Sequence, residues 1–204
     1  MKNVFKKISM IFILAVFVML FGVFVNTSDA EAASTYKIRI NKQQNCVTVY
    51  KINSKGEYEP YKAMVCSVGS ATPYGNFGLK EKIRWHELEG PVYGQYCTRI
   101  TGHILFHSVW YYQNGNPATL SNAQYNKLGT VASHGCVRLS VKDAKWIYEN
   151  CLAHSIVEFY SDSDPGPLGK PTAMKISEYE EYRNWDPTDP DPNNPWINFE
   201  GEIY

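Results

Sequence analysis

The sequence contains no C-x-x-C pair, so it holds neither a redox dithiol nor a zinc knuckle. It has no internal repeat, which excludes solenoid and propeller architectures. It has no stripe of Arg and Lys interleaved with aromatics, the pattern a nucleic-acid surface requires. Net charge is missing too, since 20 Lys+Arg offset 20 Asp+Glu over 204 residues. That balance conceals two unlike parts. Residues 34–160 hold 14 basic against 8 acidic side chains, a net of +6, whereas 161–204 hold 3 against 10, a net of −7. A mildly basic body suits an anionic polymer, and equally well an ordinary solvated surface.

Long apolar runs are absent except at the N-terminus. Lys2, Lys6 and Lys7 precede an apolar stretch from Ile8 to Val25, broken only by Ser9. The small-residue segment Ala30-Glu31-Ala32-Ala33 follows. A basic start, an apolar middle and an Ala-x-Ala site predict an export signal over residues 1–33, with cleavage after Ala32. The run is nearly long enough to span a bilayer, so an uncleaved membrane anchor is the alternative. Either way the remainder is expected to work outside the cytoplasm, at the cell wall or cell surface.

The five cysteines, Cys46, Cys66, Cys97, Cys136 and Cys151, are an odd number. In an exported chain they allow two bridges and one free thiol, or simply small buried side chains. From Tyr36 to Val68, apolar residues alternate with period two: Ile38 and Ile40, Val47 and Val49, then Met64, Cys66 and Val68. This predicts short strands separated by turns at 41–45 and 53–57. Further β structure is expected at 95–107, behind a hairpin or flap at 80–94. One helix is clearly signalled, with Ser140 as N-cap, Asp143 three residues on, and Ala144, Ile147 and Tyr148 as its apolar stripe. It should end near Asn150, with a last strand at Ile156–Tyr160. The expected fold class is therefore mainly β, a β-sandwich-like domain with one main helix. Seven of the 11 prolines fall after Tyr160, so that tail cannot form a sheet or a long helix. Its Trp185, Trp196, Ile197 and Phe199 suggest packing against the body.

One segment carries chemistry. In Ser133-His134-Gly135-Cys136-Val137-Arg138-Leu139 a thiol follows a glycine and lies four residues before the expected N-cap Ser140. A cysteine nucleophile reacts as its thiolate, so a nearby imidazole or a helix N-terminus should lower its pKa. His107 and His134 are the candidate imidazoles. Amides around Gly135 and Cys136 are candidates for holding an oxyanion. The bland alternative is a tight turn around a buried cysteine.

The same run resembles the signature of the L,D-transpeptidase (YkuD-type) catalytic domain. Thr72-Pro73-x-Gly75-x-Phe77 resembles that family's strand entry. Phe106-His107-Ser108, with Trp110 close behind, resembles the segment supplying its catalytic histidine. Leu128-Gly129 and Lys142-Asp143-Ala144 fall where the family has a Leu-Gly pair and the start of the following helix. The resemblance covers roughly residues 36–160, which makes 34–160 the expected catalytic domain and 161–204 an acidic, Pro/Trp-rich extension.

The resemblance implies a peptidoglycan-crosslinking enzyme acting on a donor tetrapeptide and a diamino-acid acceptor. Cys136 would attack the carbonyl before the terminal D-Ala, giving a thioester that a second stem's amine resolves into a 3→3 crosslink. His107 would act as general base and acid, and the Ser108 carbonyl would orient it. Ser133, His134, Gly135 and Arg138 would support the loop or the oxyanion. Acylation by carbapenems is expected by the same analogy, and no metal or organic cofactor. The chain is expected to be a monomer.

Two points depart from the family pattern. Residues 111–126 add material between His107 and Ser133, which bears on lid and pocket shape. His103 competes with His107, because on a strand the two would face the same side. His134 reads as a structural residue held by hydrogen bonds beside the cysteine, and His86 and His154 as surface residues. Tyr74, Tyr93, His103 and Trp110 are candidate substrate contacts, and Trp85 and Tyr96 lie near the same flap. For each aromatic, packing within a β layer is the competing role. A papain-like peptidase is disfavoured because there the cysteine precedes the histidine. An L,D-carboxypeptidase would use the same site with water as acceptor. A non-enzymatic wall-binding module remains the third alternative.

Overall fold

A computed structural model describes residues 34–199. Two sheets face each other. The first has the order β3-β2-β1-β9-β4, built from β1 (Tyr36–Asn41), β2 (Cys46–Ile52), β3 (Tyr58–Val65), β4 (Gly75–Gly78) and β9 (Ile156–Tyr160). The second has the order β5-β6-β7-β8, from β5 (Lys82–Leu88), β6 (Val92–Thr101), β7 (Ile104–Ser108) and β8 (Val137–Leu139). Helix α1 (Asn122–Tyr125) is a single turn, and α2 (Val141–Asn150) packs on β6, β7 and β8. The fold is mainly β, a sandwich with one committed helix.

The alternation read in the sequence becomes cross-strand rows. Ile38 pairs with Val49 on one side and Val157 on the other; Ile40 pairs with Val47 and Phe159. All six are buried. Burial of one such side chain contributes about 1.5–3 kcal/mol, so these rows fix the register of the first sheet. Phe106, Val137 and Leu139 of the second sheet and Ala144 and Ile147 of α2 close the core from the other side.

Strand β8 pairs parallel to β7, which requires a crossover, and residues 109–136 supply it. The added segment within it is anchored to the body: Tyr111, Leu120, Tyr125 and Leu128 are buried in the core. Helix α2 starts at the predicted cap, Ser140 Oγ accepting from Asp143 N at 3.4 Å. Asp143 turns its carboxylate to the Ser140 hydroxyl and to Lys62.

Some expectations hold and others are corrected. All five thiols are unpaired, and Cys46, Cys66, Cys97 and Cys151 are buried, so the small-buried-residue alternative holds for those four. His103 lies in the turn before β7, off the strand, so it shares no strand face with His107. Among its described residues the tail forms no strand and packs on the body, as expected: Ile176 and Trp196 are buried, and Trp196 meets Tyr182 and Phe199 edge-on. Ile197 is the exception, 56% exposed. The predicted export signal lies outside the described residues. Among the described residues, no helix is long and apolar enough to cross a membrane.

Candidate active site

Cys136 stands one residue before β8. The loop that presents it is tied down mainly by backbone contacts. Ala132 N and Ser133 N both donate to Val68 O, at 3.0 and 3.2 Å, and Ala71 N donates to His134 O at 2.8 Å. Thr72 Oγ1 donates to Gly135 O at 2.7 Å while accepting from Gly69 N at 2.9 Å. Ser133 Oγ donates to Cys136 O at 2.6 Å. Ser67 and Arg138 exchange backbone hydrogen bonds at 2.9 Å in both directions.

Residues 67–72 therefore form a cradle for the cysteine loop. Gly69 is essential to it, because a Cβ there would fall 2.2 Å from Ser133 O and 2.3 Å from His134 O. No side chain fits that approach. Gly135 is restricted by the Ile104 side chain, 2.5 Å from where its Cβ would stand.

His107 lies on β7 and pairs with Arg138 on β8. Paired side chains on neighbouring strands leave the same face, so His107 and Arg138 share one. Cys136 leads into β8 from the loop before it, and the Arg138 charge acts on both the thiol and the imidazole. His107 is buried, with its Nδ1 2.6 Å from Ser108 O. A carbonyl only accepts, so Nδ1 carries the proton and Nε2 keeps a lone pair. Burial pushes the imidazole pKa down to about 4, against the Ser108 carbonyl, which raises it; the Arg138 and His86 charges add to the lowering. The ring is therefore neutral at pH 7, the form a general base needs.

The thiol behaves differently from expectation. Burial raises the Cys136 pKa above the ordinary thiol value, and the Leu105 N–H and the Arg138 and Arg99 charges offset this only in part. No helix terminus helps. Helix α2 begins five residues later, and its first N–H, that of Val141, is bonded to Asp186. The resting site is a neutral thiol facing a sheet that also carries a neutral imidazole, in place of a preformed thiolate–imidazolium pair. Cys136 Sγ lies 3.4 Å from the backbone carbonyl of His103, so His103 enters the site through its main chain.

The remaining candidates are placed as follows. Arg138 donates from Nη1 to Gln124 Oε1 at 2.8 Å, which ties the crossover to the site. His134 is exposed and meets Glu89, at the tip of the β5–β6 hairpin, at 2.6 Å. That bond reaches the hairpin. Tyr74 is 63% exposed, with the Lys42 ammonium 3.6 Å from its ring centre. Tyr93 bridges Tyr111 from β6. Trp110 packs edge-on against Tyr112, and Trp85 against Tyr111.

Sequence reading missed Gly94. A Cβ at Gly94 would stand 3.0 Å from His107 Nδ1 and 3.1 Å from its Cβ, so the imidazole rests directly on the glycine backbone. A glycine inside a strand is a signal of such close approach. Two residues on, Tyr96 has φ +53°, a left-handed conformation rare for an aromatic residue. Nothing in the sequence marks that kink. Among the described residues, no group of three or more His, Cys, Asp or Glu could hold a metal ion.

The family model for the YkuD L,D-transpeptidase catalytic domain matches residues 35–165. The Bacillus subtilis (strain 168) protein named "Putative L,D-transpeptidase YciB" is 41% identical over 95 residues, 43% of this chain and 45% of that protein. The match thus spans less than half the length of that relative. Among solved structures, LD transpeptidase LdtMt1 in complex with imipenem has a TM-score of 0.50 at 20% identity, covering 62% of this chain and 59% of that one. The L,D-transpeptidase from Mycobacterium smegmatis has a TM-score of 0.49 at 18% identity, covering 63% and 59%. A family match over most of the described residues identifies the chain as a member of the YkuD L,D-transpeptidase catalytic domain family.

Proposed function

We propose that this protein is an exported peptidoglycan L,D-transpeptidase that forms 3→3 crosslinks through a thioester on Cys136. The observation that supports this most strongly is the His107 ring. It is buried and neutral, with Nδ1–H committed to the Ser108 carbonyl, and it lies on the strand beside the one that Cys136 leads.

In the first half-reaction, His107 Nε2 takes the thiol proton as Sγ attacks the carbonyl between the third stem residue and the terminal D-Ala. The tetrahedral oxyanion develops near the Gly135 and Cys136 amides. Collapse breaks the C–N bond, the proton on His107 passes to the departing amine, and D-Ala leaves. In the second, the acceptor's side-chain amine gives its proton to His107 and attacks the thioester, and the released thiolate is reprotonated. Because the thiol pKa is raised, deprotonation coincides with attack, and the base is required in both halves. The fixed tautomer ensures that Nε2 always faces the reaction.

The site of action, outside the cytoplasm, rests on the N-terminal pattern of Lys2–Ala33. The reaction is tested by incubating the protein with disaccharide-tetrapeptide and resolving products by mass spectrometry. A crosslinked dimer short of one D-Ala is expected. Tripeptide alone would assign the site to hydrolysis, and unchanged substrate would refute both. Carbapenem exposure should add one drug mass at Cys136 and none in Cys136→Ala.

A further inference from the structure

Residues 166–199 run beyond the segment that the family model matches, yet they are wired into the sheet that carries His107. The strap first fastens to the crossover. Ile176 N donates to Asn126 Oδ1 at 2.8 Å, Asn126 Nδ2 donates to Ile176 O at 2.7 Å, and Leu120 N donates to Asn184 O at 2.8 Å. Its Asp-Pro run then turns inward. Asp186, fully buried, accepts from Val141 N at 2.8 Å and from Thr188 N and Oγ1 at 2.8 and 2.7 Å. Asn194 Nδ2 closes the turn by donating to the Asp186 and Asp189 carbonyls. Trp196, buried, plugs the end.

Asp189 makes the consequential contact. Its Oδ2 accepts from Gln95 Nε2 at 2.7 Å, 94 residues away in sequence. Gln95 is fully buried and its side chain is fully engaged: Nε2 also donates to Tyr111 OH at 2.9 Å, and Oε1 accepts from Arg84 Nη1 at 2.8 Å. Its backbone N donates to Ser108 Oγ at 3.0 Å. Gln95 thus sits between Gly94, on which the His107 ring rests, and Tyr96, whose backbone is kinked into the left-handed region. A kink of that kind persists only where its surroundings over-determine it. Here the fixed Gln95 side chain and the Arg84 guanidinium, 3.8 Å over the Tyr96 ring, do so.

We infer that the acidic C-terminal strap is part of the active-site scaffold, with Asp189 and Gln95 as positioning residues that hold the β6 kink and, through Gly94 and Ser108, the orientation of His107. Both act through other groups, and neither touches the thiol. The inference rests on the proposed role of His107 as base, but its test can be read without catalysis.

The test follows the His107 ring resonances by NMR over pH 3–8 in the full chain, alongside steady-state D-Ala release, for the wild type, Asp189→Ala and Asp189→Asn. The groups facing the ring in this titration are the Ser108 carbonyl, Arg138 and His86. In the wild type the midpoint should lie near 4. In Asp189→Ala it should climb toward 6.5, the ordinary imidazole value, as the ring loses its enclosure. kcat should fall about tenfold with KM little changed, the pattern of a displaced base. Asp189→Asn keeps an acceptor for Gln95 and should restore both. A folded Asp189→Ala with the wild-type midpoint and kcat would overturn the inference, even if its melting temperature dropped. So would an Asn variant as impaired as the Ala one. Should Asp189→Ala fail to fold, Tyr111→Phe removes only the second acceptor of Gln95 and should move the midpoint the same way by less; no movement would overturn the inference. If the midpoints move as expected while the wild type releases no D-Ala, the proposed reaction fails and the scaffold role stands.

Discussion

Gly94→Ala places one methyl group against His107, the proposed base, and changes little else. The glycine has no left-handed φ, so alanine is free to adopt its backbone. The new Cβ would stand 3.0, 3.1 and 3.2 Å from Nδ1, Cβ and Cγ of His107, so the ring must give by a few tenths of an ångström. It has nowhere easy to go, being buried and held by the 2.6 Å contact of Nδ1 with the Ser108 carbonyl. Overpacking of this order costs about 1–3 kcal/mol. Part of that will appear as lost stability and part as a misaligned Nε2. If about 1–2 kcal/mol reaches the barrier, kcat falls roughly 5- to 30-fold, at 1.36 kcal/mol per tenfold. The assay is D-Ala release from disaccharide-tetrapeptide at saturating donor, with the folded fraction fixed by calorimetry. A folded Gly94→Ala enzyme with wild-type kcat would show that His107 is not the base, or that its position against β6 is immaterial.

Other consequences concern the cradle, the core and the base. Thr72→Val should orphan the Gly69 N–H and the Gly135 carbonyl in a buried site, costing about 2–4 kcal/mol in urea denaturation; a loss below 1 kcal/mol would mean the loop does not depend on them. Thr98→Val should be neutral or stabilising by about 1 kcal/mol, because the Thr98 hydroxyl is buried without a partner; clear destabilisation would reveal one. His107 must be neutral to take the thiol proton, and its neutral fraction is lost only as pH falls through about 4, so kcat/KM should stay level from pH 7 to about 5 and drop below that. An acid limb near 6.5 would contradict the buried, neutral imidazole.

The fold was legible wherever period and burial coincide. Ile38, Ile40, Val47 and Val49 alternate because one face of each strand is core, and Ser140 caps α2 because its hydroxyl suits an orphan N–H. The proposed partnership of Cys136 with His107 came only from the resemblance to the family signature, since no local rule ties residues 29 apart. Other features were hidden for physical reasons. The raised Cys136 pKa follows from burial, which a sequence does not record. His103 was misplaced because the β6–β7 turn falls there, one residue before the strand resumes. Asp186 and Asp189 sit in a proline-rich acidic run typical of solvated tails. Their burial depends on partners at Val141 and Gln95, 45 and 94 residues away. Gly69 and Gly94 matter for what would collide with a side chain, which only the assembled backbone shows.

Cys136 is proposed to carry the acyl group. Rapid quenching of the protein with disaccharide-tetrapeptide in the absence of acceptor, followed by intact-mass and peptide mapping, tests it directly. The expected product is an adduct of substrate minus D-Ala on the peptide containing Cys136, sensitive to hydroxylamine and absent from Cys136→Ala. D-Ala released by Cys136→Ala at the wild-type rate, or an adduct on another residue, would contradict it.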